Sequence, residues 1–266
     1  MTAPQAGSTT REATGVRIPA PRHSWDPPGA APPLTPRRRR RVRELLGTLL
    51  VLSLVPLVAL VGINLHLVDR LDRIDGAFDG LGDRPAAAPG ETVLMVGTRP
   101  GGRADVGWLD GVQSVESVML VEVDPDGVRV DVGSMPVLDG IATSAQSGRP
   151  SEAVAAVESW SGRRVDHLIA LDWRTFAQLA ADNGVPATYR YGSARGAQHD
   201  YLRDVLEGTL HAELRKQPLD LYRALSTVAG GAAVDDEWSL LEMDRFVLHL
   251  RDLRSADITF SRAMPR

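Results

Sequence analysis

The sequence predicts an α/β domain with a mixed central β-sheet flanked by helices, preceded by one transmembrane helix. Two short runs, TVLMVG at 92–97 and VDHLIAL at 165–171, have the apolar and β-branched composition of buried strands. Two further strand patterns, at 117–123 and 128–135, are separated by Asp-Pro-Asp-Gly, which is typical of a hairpin turn. Helical patterns intermix with these strands, so we expect antiparallel as well as parallel pairs, covered by helices.

The remaining elements follow from helical periodicity and from residues that end helices. Leu71, Ile74 and Phe78 recur at helical spacing, which predicts an amphipathic stalk helix over residues 69–82. The run RPAAAPG at 84–90 predicts a linker. Within the domain we predict helices over residues 151–160, 173–183, 198–215, 218–229 and 238–253, and a last strand over 258–260.

An uncharged stretch of 24 residues, LLGTLLVLSLVPLVALVGINLHLV at 45–68, is the most distinctive feature of the chain. A helix of about 20 apolar residues crosses the hydrocarbon core of a bilayer. Six arginines, at 37–41 and 43, lie just before the stretch, whereas mixed charges follow it. The positive-inside rule therefore places the N-terminus in the cytoplasm and the C-terminal domain outside the cell membrane. The stretch is too long and too far from the N-terminus for a signal peptide, and Pro56 would weaken a soluble helix.

These patterns divide the chain into four parts. Residues 1–36 contain eight prolines and little that could form a core, which predicts disorder. The parts are a disordered cytoplasmic tail with an arginine run (1–44), a transmembrane helix (45–68), a stalk helix and linker (69–90) and an extracytoplasmic domain (91–266).

Charge and cysteine content exclude several classes of function. The first 44 residues carry nine arginines against three acidic residues, a charge of +6, and since the whole chain carries −4, the remainder carries −10. An acidic outer domain argues against nucleic acid as a partner. The basic run fits the anionic lipid of the inner leaflet. The absence of cysteine excludes disulfides and thiolate metal sites.

Two basic features are candidates for anion binding. The glycine-rich run 97–103 contains Arg99 and Arg103 but lacks the spacing of nucleotide-binding loops, so it is either an ordinary surface loop or a phosphate-binding one. Arg190, Arg195 and Arg203 form a basic cluster in an acidic domain and are either solvated or ligand-binding. From the residues alone, the predicted function is that of a membrane-anchored extracytoplasmic domain that binds an anionic ligand.

Several segments, taken in order, resemble the LytR-CpsA-Psr (LCP) family of cell-envelope proteins, in its actinobacterial type. The order of tail, arginine run, membrane helix and outer domain is similar. The matching segments are TVLMVG with the family's first strand, VESVMLVEVDPDGVRVDVGSMP with its hairpin, VDHLIALDWRTFAQLAADNGV with a strand–helix segment, and DITFSRAMP with its ending. The likeness covers about residues 37–264.

This resemblance implies transfer of a glycopolymer from a polyprenyl-pyrophosphate carrier to peptidoglycan. In the family, arginines hold the pyrophosphate, aspartates hold a divalent cation such as Mg²⁺, and the lipid tail lies in an apolar slot between sheet and helices. Arg190 and Arg195 match family arginines, so the resemblance implies that they contact the pyrophosphate, with Arg99 as a further contact. It implies Glu116 as the ligand of Mg²⁺ or another divalent cation.

The chain departs from the family pattern where the chemistry is expected. Arg99 and Glu116 stand at two aspartate positions, and Val137 and Leu138 stand where the family has Arg and Asp. Losing one such charged contact costs on the order of 2–4 kcal/mol of transition-state stabilisation. We therefore expect a degenerate member that binds a polyprenyl-linked glycan with reduced or lost transferase activity. The alternatives are an active phosphotransferase and a non-catalytic scaffold or regulator whose tail, residues 1–36, binds a cytoplasmic partner.

Overall fold

The computed structural model describes residues 61–101, 108, 113–186, 188–209 and 217–265. The predicted cytoplasmic tail, residues 45–60 of the predicted transmembrane helix, and Arg103 lie outside the described residues. Within the described ranges, no helix combines the length and the apolar character needed to cross a bilayer.

Seven strands form one mixed sheet in the order β1-β6-β5-β2-β3-β4-β7. The strands are Asp72–Ile74 (β1), Glu91–Pro100 (β2), Gln113–Val123 (β3), Val130–Met135 (β4), His167–Asp172 (β5), Ala232–Asp235 (β6) and Ile258–Arg262 (β7). Strand β3 is antiparallel to β2 and β4, and β5 to β6, whereas the pairs β1–β6, β2–β5 and β4–β7 are parallel. The predicted mixed α/β sheet is confirmed.

Helices cover both faces of this sheet. They are residues 61–69 (α1), Asp139–Ser147 (α2), Pro150–Ser161 (α3), Trp173–Asp182 (α4), Arg195–Thr209 (α5), Pro218–Ala229 (α6) and Leu240–His249 (α7). Successive strand residues point to opposite faces. Thus Leu94 and Val96 belong to the core that includes α2 and α3, while Met95 between them packs with residues of α4 to α7. The sheet is therefore the middle layer between two apolar cores.

The β3–β4 hairpin forms as predicted, and its turn needs glycine. The N–H of Gly127 donates to the carbonyl oxygen of Asp124 at 2.9 Å. Gly127 has φ +68°, a conformation that costs L-residues energy, and an added Cβ would lie 2.3 Å from the carbonyl oxygen of His249. Both the backbone conformation and the close approach of α7 exclude a side chain there.

The predicted stalk helix over residues 69–82 is wrong. Helix α1 ends at residue 69, and Asp72–Ile74 instead forms an edge strand parallel to β6. Ile74 is buried in the core, and Arg73 donates to the carbonyl oxygens of Asp235 and Trp238 at 3.1 and 2.9 Å. The apolar spacing therefore reflects an edge strand and the turn after it, and the folded domain begins well before residue 91.

Neither α2 nor β6 is predicted by the sequence pattern. Helix α2 reads DGIATSAQS, which is rich in weak helix formers. Strand β6 is only four residues long, AAVD, and all four are buried. Both elements form because neighbouring elements bury them. The local preference of their residues for helix or strand is too weak to explain them.

A buried ion pair fastens the predicted linker to α3. The Arg84 guanidinium donates to both carboxylate oxygens of Glu158, with N–O distances of 2.7 to 3.2 Å, and also to the carbonyl oxygen of Val165. Glu158 accepts a further hydrogen bond from the N–H of Val165 at 2.9 Å, and the Phe78 ring lies 5.0 Å from the guanidinium carbon. The carboxylate of Glu158, a residue only 4% exposed, is thus compensated from two sides.

We expect Glu158→Ala to lower the free energy of unfolding by about 3 kcal/mol, because it leaves the Arg84 guanidinium half-buried without its anion. The matched control is Glu152→Ala on the same helix, whose pair with Arg149 is exposed and whose loss should cost about 0.5 kcal/mol or less. Urea unfolding followed by circular dichroism measures both. Equal losses in the two variants would contradict a structural role for the buried pair.

Candidate binding site

A β-bulge in β3 places Glu116 beneath the helical layer formed by α4 and α5. Gly97 pairs with Ser117 and Thr98 pairs with Val115, so Glu116 is the extra residue without a partner on β2. A bulge re-aims the side chain that it inserts. As a result the Ser117 hydroxyl accepts a hydrogen bond from Trp173 of α4, and the carbonyl oxygen of Glu116 accepts one from Gln198 of α5.

Trp173, the first residue of α4, lies directly over this bulge. Its indole Nε1–H donates to Ser117 Oγ at 3.0 Å. A Cβ on Gly97 would lie 2.2 Å from both the indole nitrogen and Ser117 Oγ. The side chain of Asp172 caps α4 by accepting from the N–H of Arg174 at 2.9 Å, which fixes the start of the helix at the end of β5. Glycine at 97 is therefore required for this contact between helix and sheet.

Five polar side chains surround the bulge, and we call them the Glu116 cluster: Arg99, Ser114, Glu116, Tyr189 and Gln198. Glu116 Oε1 accepts from the Tyr189 hydroxyl and, at 2.6 Å, from the N–H of Gly192. Glu116 Oε2 lies 3.4 Å from Arg99 Nε, which also donates to Ser114 Oγ at 3.2 Å. Gln198 Nε2 donates to the Tyr189 hydroxyl at 3.1 Å and to the Glu116 carbonyl oxygen at 3.3 Å.

The cluster compensates a buried negative charge. The side chain of Glu116 is 3% exposed, and a buried carboxylate is stable only when paired and hydrogen-bonded. Arg99, 38% exposed, supplies the opposite charge from the solvent side. Burial, and next the hydrogen bond to Glu116, raise the pKa of Tyr189 well above its usual value. Tyr189 is therefore protonated near neutral pH and can donate to the carboxylate.

The four predicted site residues come together only in part. Arg99 and Glu116 form the ion pair described above. Arg190 is exposed, between Tyr189 and Gly192, the two residues that bond Glu116. Arg195 is half-buried at the start of α5, on the side of His199, whose pKa is lowered by burial and then by neighbouring arginines. Among the described residues, neither Arg190 nor Arg195 forms a hydrogen bond or an ion pair with Glu116.

The arrangement around Glu116 does not fit a divalent cation. Mg²⁺ requires octahedral oxygen ligands, and Ca²⁺ requires six to eight. Here Glu116 is the one carboxylate of the cluster, and both of its oxygens face donors. Within the described ranges, no group of three His, Asp or Glu residues is placed to hold a metal ion. The donors around Glu116 therefore do not support a metal-dependent catalytic step at this site.

Aromatic rings stack beside the Glu116 cluster. Trp173 stacks on Tyr189 with 4.4 Å between ring centroids and on Tyr201 with 5.6 Å. Phe176, one turn further along α4, lies 5.5 Å from Trp173. Trp173 and Tyr201 are almost fully buried. The rings thus form a rigid apolar wall that ends at the polar cluster.

A partly open apolar cavity of about 270 Å³ lies between the sheet and the helices α4, α5 and α7. Its floor includes Met95, Val121 and Ile169, and Leu202 and Phe246 are among the residues that cover it. Among the described residues, every side chain in its lining is apolar. Because Met95 and Arg99 are four residues apart on one strand, the cavity and the Glu116 cluster are about 13 Å apart along β2.

Val137 and Leu138 follow β4 close to the bulge. Strand β4 ends at Met135, which pairs with Val118, so the chain leaves β4 next to Ser117 and Glu116. Val137 is 44% exposed, whereas Leu138 packs against the core that includes α2. An exposed valine and a packed leucine therefore stand where the family resemblance implies arginine and aspartate.

Sequence reasoning missed most of the residues that shape the site. The sequence pattern does not indicate a site role for Trp173, Tyr189, Tyr201 or Gln198, because aromatic residues and glutamine in helical or loop patterns carry no chemical signature. The spacing of Gln198, Tyr201, Leu202 and Val205 provides a usable signal. These four residues are buried at helical intervals on α5, so a polar residue in that stripe indicates a buried hydrogen bond.

We expect Gly97→Ala to lower the free energy of unfolding by about 1–3 kcal/mol, because the new methyl group overpacks the contact between Trp173 and Ser117. Gly196→Ala is the control, since no atom lies within 4 Å of a Cβ there and alanine is a better helix former by about 1 kcal/mol. Thermal and urea unfolding measure both variants. Gly97→Ala with unchanged stability would show that α4 is free to shift.

No protein-family model and no curated protein matches the chain. Among solved structures, the chain is similar to a LytR-Csp2A-Psr enzyme from Actinomyces oris, with 19% identity over 73% of this chain and 86% of that one and a TM-score of 0.49. It is also similar to TagV from B. subtilis, with 14% identity, coverage of 68% and 84%, and a TM-score of 0.42. At these identities the similarity is one of fold.

Proposed function

We propose that this chain is a membrane-anchored protein of cell-envelope biogenesis that binds a polyprenyl-(pyro)phosphate-linked glycan with reduced or lost transferase activity. In this proposal the N-terminus is cytoplasmic, and the domain meets the lipid carrier at the outer leaflet. The motif order that resembles the LCP family and the uncharged stretch at 45–68 support this arrangement.

The observation that carries the proposal is the apolar cavity. Its volume of about 270 Å³ lies just below the roughly 300–1,000 Å³ typical of small-molecule sites. Since its lining offers water no hydrogen-bond partner, the occupant it favours is apolar. A branched hydrocarbon such as the first isoprene units of a polyprenyl chain has that character.

The proposed loss of activity follows from the state of the charged groups. Transfer of a phosphoryl group requires positive charge placed at the developing negative charge. Here Arg99 already faces the buried Glu116 carboxylate, and Val137 offers no charge. The alternative of an active phosphotransferase is favoured by the exposed position of Arg190 beside the Glu116 cluster, which leaves one guanidinium to reach a phosphate.

We expect a short-chain polyprenyl phosphate to raise the melting temperature of the full chain in detergent by roughly 5–10 °C at a hundredfold excess over Kd. Val121→Phe should abolish that shift, because the larger side chain fills the cavity floor, while the unliganded stability stays equal or rises. The matched control is Val128→Phe, on an exposed turn outside the cavity. A full shift in Val121→Phe would contradict binding in the cavity.

Val137→Arg tests whether the missing positive charge at position 137 weakens binding of the pyrophosphate. Because Val137 is exposed, an arginine fits there and should tighten binding of polyprenyl pyrophosphate about tenfold through a charge-assisted contact. Val128→Arg, similarly exposed but remote from the bulge, is the control.

Release of polyprenyl phosphate from a lipid-linked glycan, with Mg²⁺ or Mn²⁺ present, measures transfer. Turnover by the unchanged chain well above that of boiled protein would favour the active phosphotransferase instead.

A further inference from the structure

Helices α6 and α7 expose a set of large apolar side chains. They are Leu219 (71% exposed), Leu225 (45%), Leu241 (59%), Val247 (65%) and Leu248 (62%). Single exposed apolar residues are ordinary on a protein surface, but grouped ones indicate an interaction site. We call these five residues the apolar face.

On α7 the apolar face coincides with the side of the helix that contacts α1. Asp244 Oδ1 accepts a hydrogen bond from Asn64 Nδ2 of α1 at 2.6 Å. Leu241 precedes Asp244 by three residues, and Val247 and Leu248 follow it by three and four. Residues at these spacings lie on one face of a helix, so the exposed residues of α7 surround its contact with α1.

On α6 as well, the exposed leucines lie on the side of the helix that contacts α1. The ring of Tyr222 lies 6.5 Å from the ring of His66 of α1. Leu219 precedes Tyr222 by three residues and Leu225 follows it by three, so both share its face. Helix α1 thus touches α6 and α7 at the centre of the apolar face, and its own Val61 and Leu65 are also exposed.

The position of α1 in the chain indicates what covers this face. Residues 61–68 of helix α1 are the last eight residues of the uncharged stretch that begins at residue 45. As a helix, the predicted span 45–68 is about 36 Å long, whereas the hydrocarbon core is about 30 Å thick. If the span crosses the bilayer as predicted, its last few residues, which include His66, would lie at the boundary between hydrocarbon and headgroups, and α6 and α7 would contact α1 at that level.

We propose that the apolar face is a membrane-docking surface, whose leucine and valine side chains insert shallowly into the outer leaflet around the exit of the anchor. This inference rests on the anchored arrangement proposed above. It adds a defined orientation, since the domain lies against the bilayer with α6 and α7 rather than extending from it on a stalk.

Docking on this side brings the apolar cavity to the membrane. Helix α7 lies between the cavity and the apolar face, since its Phe246 lines the cavity while its Val247 and Leu248 are exposed. A lipid chain would then reach the cavity past the edge of one helix without crossing water. The docked orientation thus supplies an entry path for the polyprenyl ligand.

The absence of native cysteine permits a site-specific test. The full-length variant Leu248→Cys carries an environment-sensitive fluorophore in phosphatidylcholine–phosphatidylglycerol nanodiscs, one chain per disc, with nitroxide groups on the lipid acyl chains. Ala155→Cys, exposed on α3 across the sheet, is the matched control. We expect at least about twofold nitroxide quenching at position 248 and little at 155, and a loss of quenching at 248 when Leu241→Glu is added.

The remaining outcomes each overturn part of the proposal. If alkaline washing removes the chain from vesicles, the anchored arrangement fails, and docking fails with it. If the chain is retained but positions 248 and 155 are quenched equally, docking alone is overturned. Quenching that is absent with one chain per disc, together with disulfide cross-linking at 248 when two are present, would assign the apolar face to a second copy of the chain.

Discussion

The contact between the Trp173 indole and the backbone of Gly97 is the constraint on which the site depends. It holds the start of α4 against the sheet and offers a flat surface on which Tyr189 and Tyr201 stack. That stack positions the Tyr189 hydroxyl over the Glu116 carboxylate. A single close approach, possible only because residue 97 has no side chain, therefore fixes both the aromatic wall and the polar cluster beside it.

The parts of the fold that were predictable are those in which local preference and final environment agree. The hairpin is readable because Asp-Pro-Asp-Gly supplies a turn that the flanking strands also need. The segment after α1 was misread because Leu71, Ile74 and Phe78 fit a helical period. A short edge strand and turn bury the same residues through long-range pairing with β6, which leaves no local signal. Contacts with residues distant in sequence therefore determine the structure of the segment after α1.

The candidate site was predictable as a set of residue types but not as an arrangement. The glycine-rich run indicated Arg99 as a phosphate contact, whereas the family resemblance implied Glu116 as a metal ligand. The bulge at Glu116 of β3, opposite Gly97 and Thr98, shifts the register by one residue and brings the side chains of Arg99 and Glu116 together as an ion pair. A bulge depends on the strand opposite, so the spacing of residues along one strand cannot reveal it.

The cavity offers an apolar surface to a ligand, whereas the charged groups of the Glu116 cluster are already paired with each other. The cavity is partly open and the described side chains of its lining are apolar, so an apolar occupant gains about 25 cal/mol for each Å² of its own surface that it buries there. Arg99, by contrast, cannot turn to a phosphate without leaving the Glu116 carboxylate with only its hydrogen bonds from Tyr189 and Gly192, at a cost below the roughly 3–5 kcal/mol of breaking a fully buried ion pair. These contacts support the proposal that the chain binds a lipid-linked glycan and transfers its phosphate poorly.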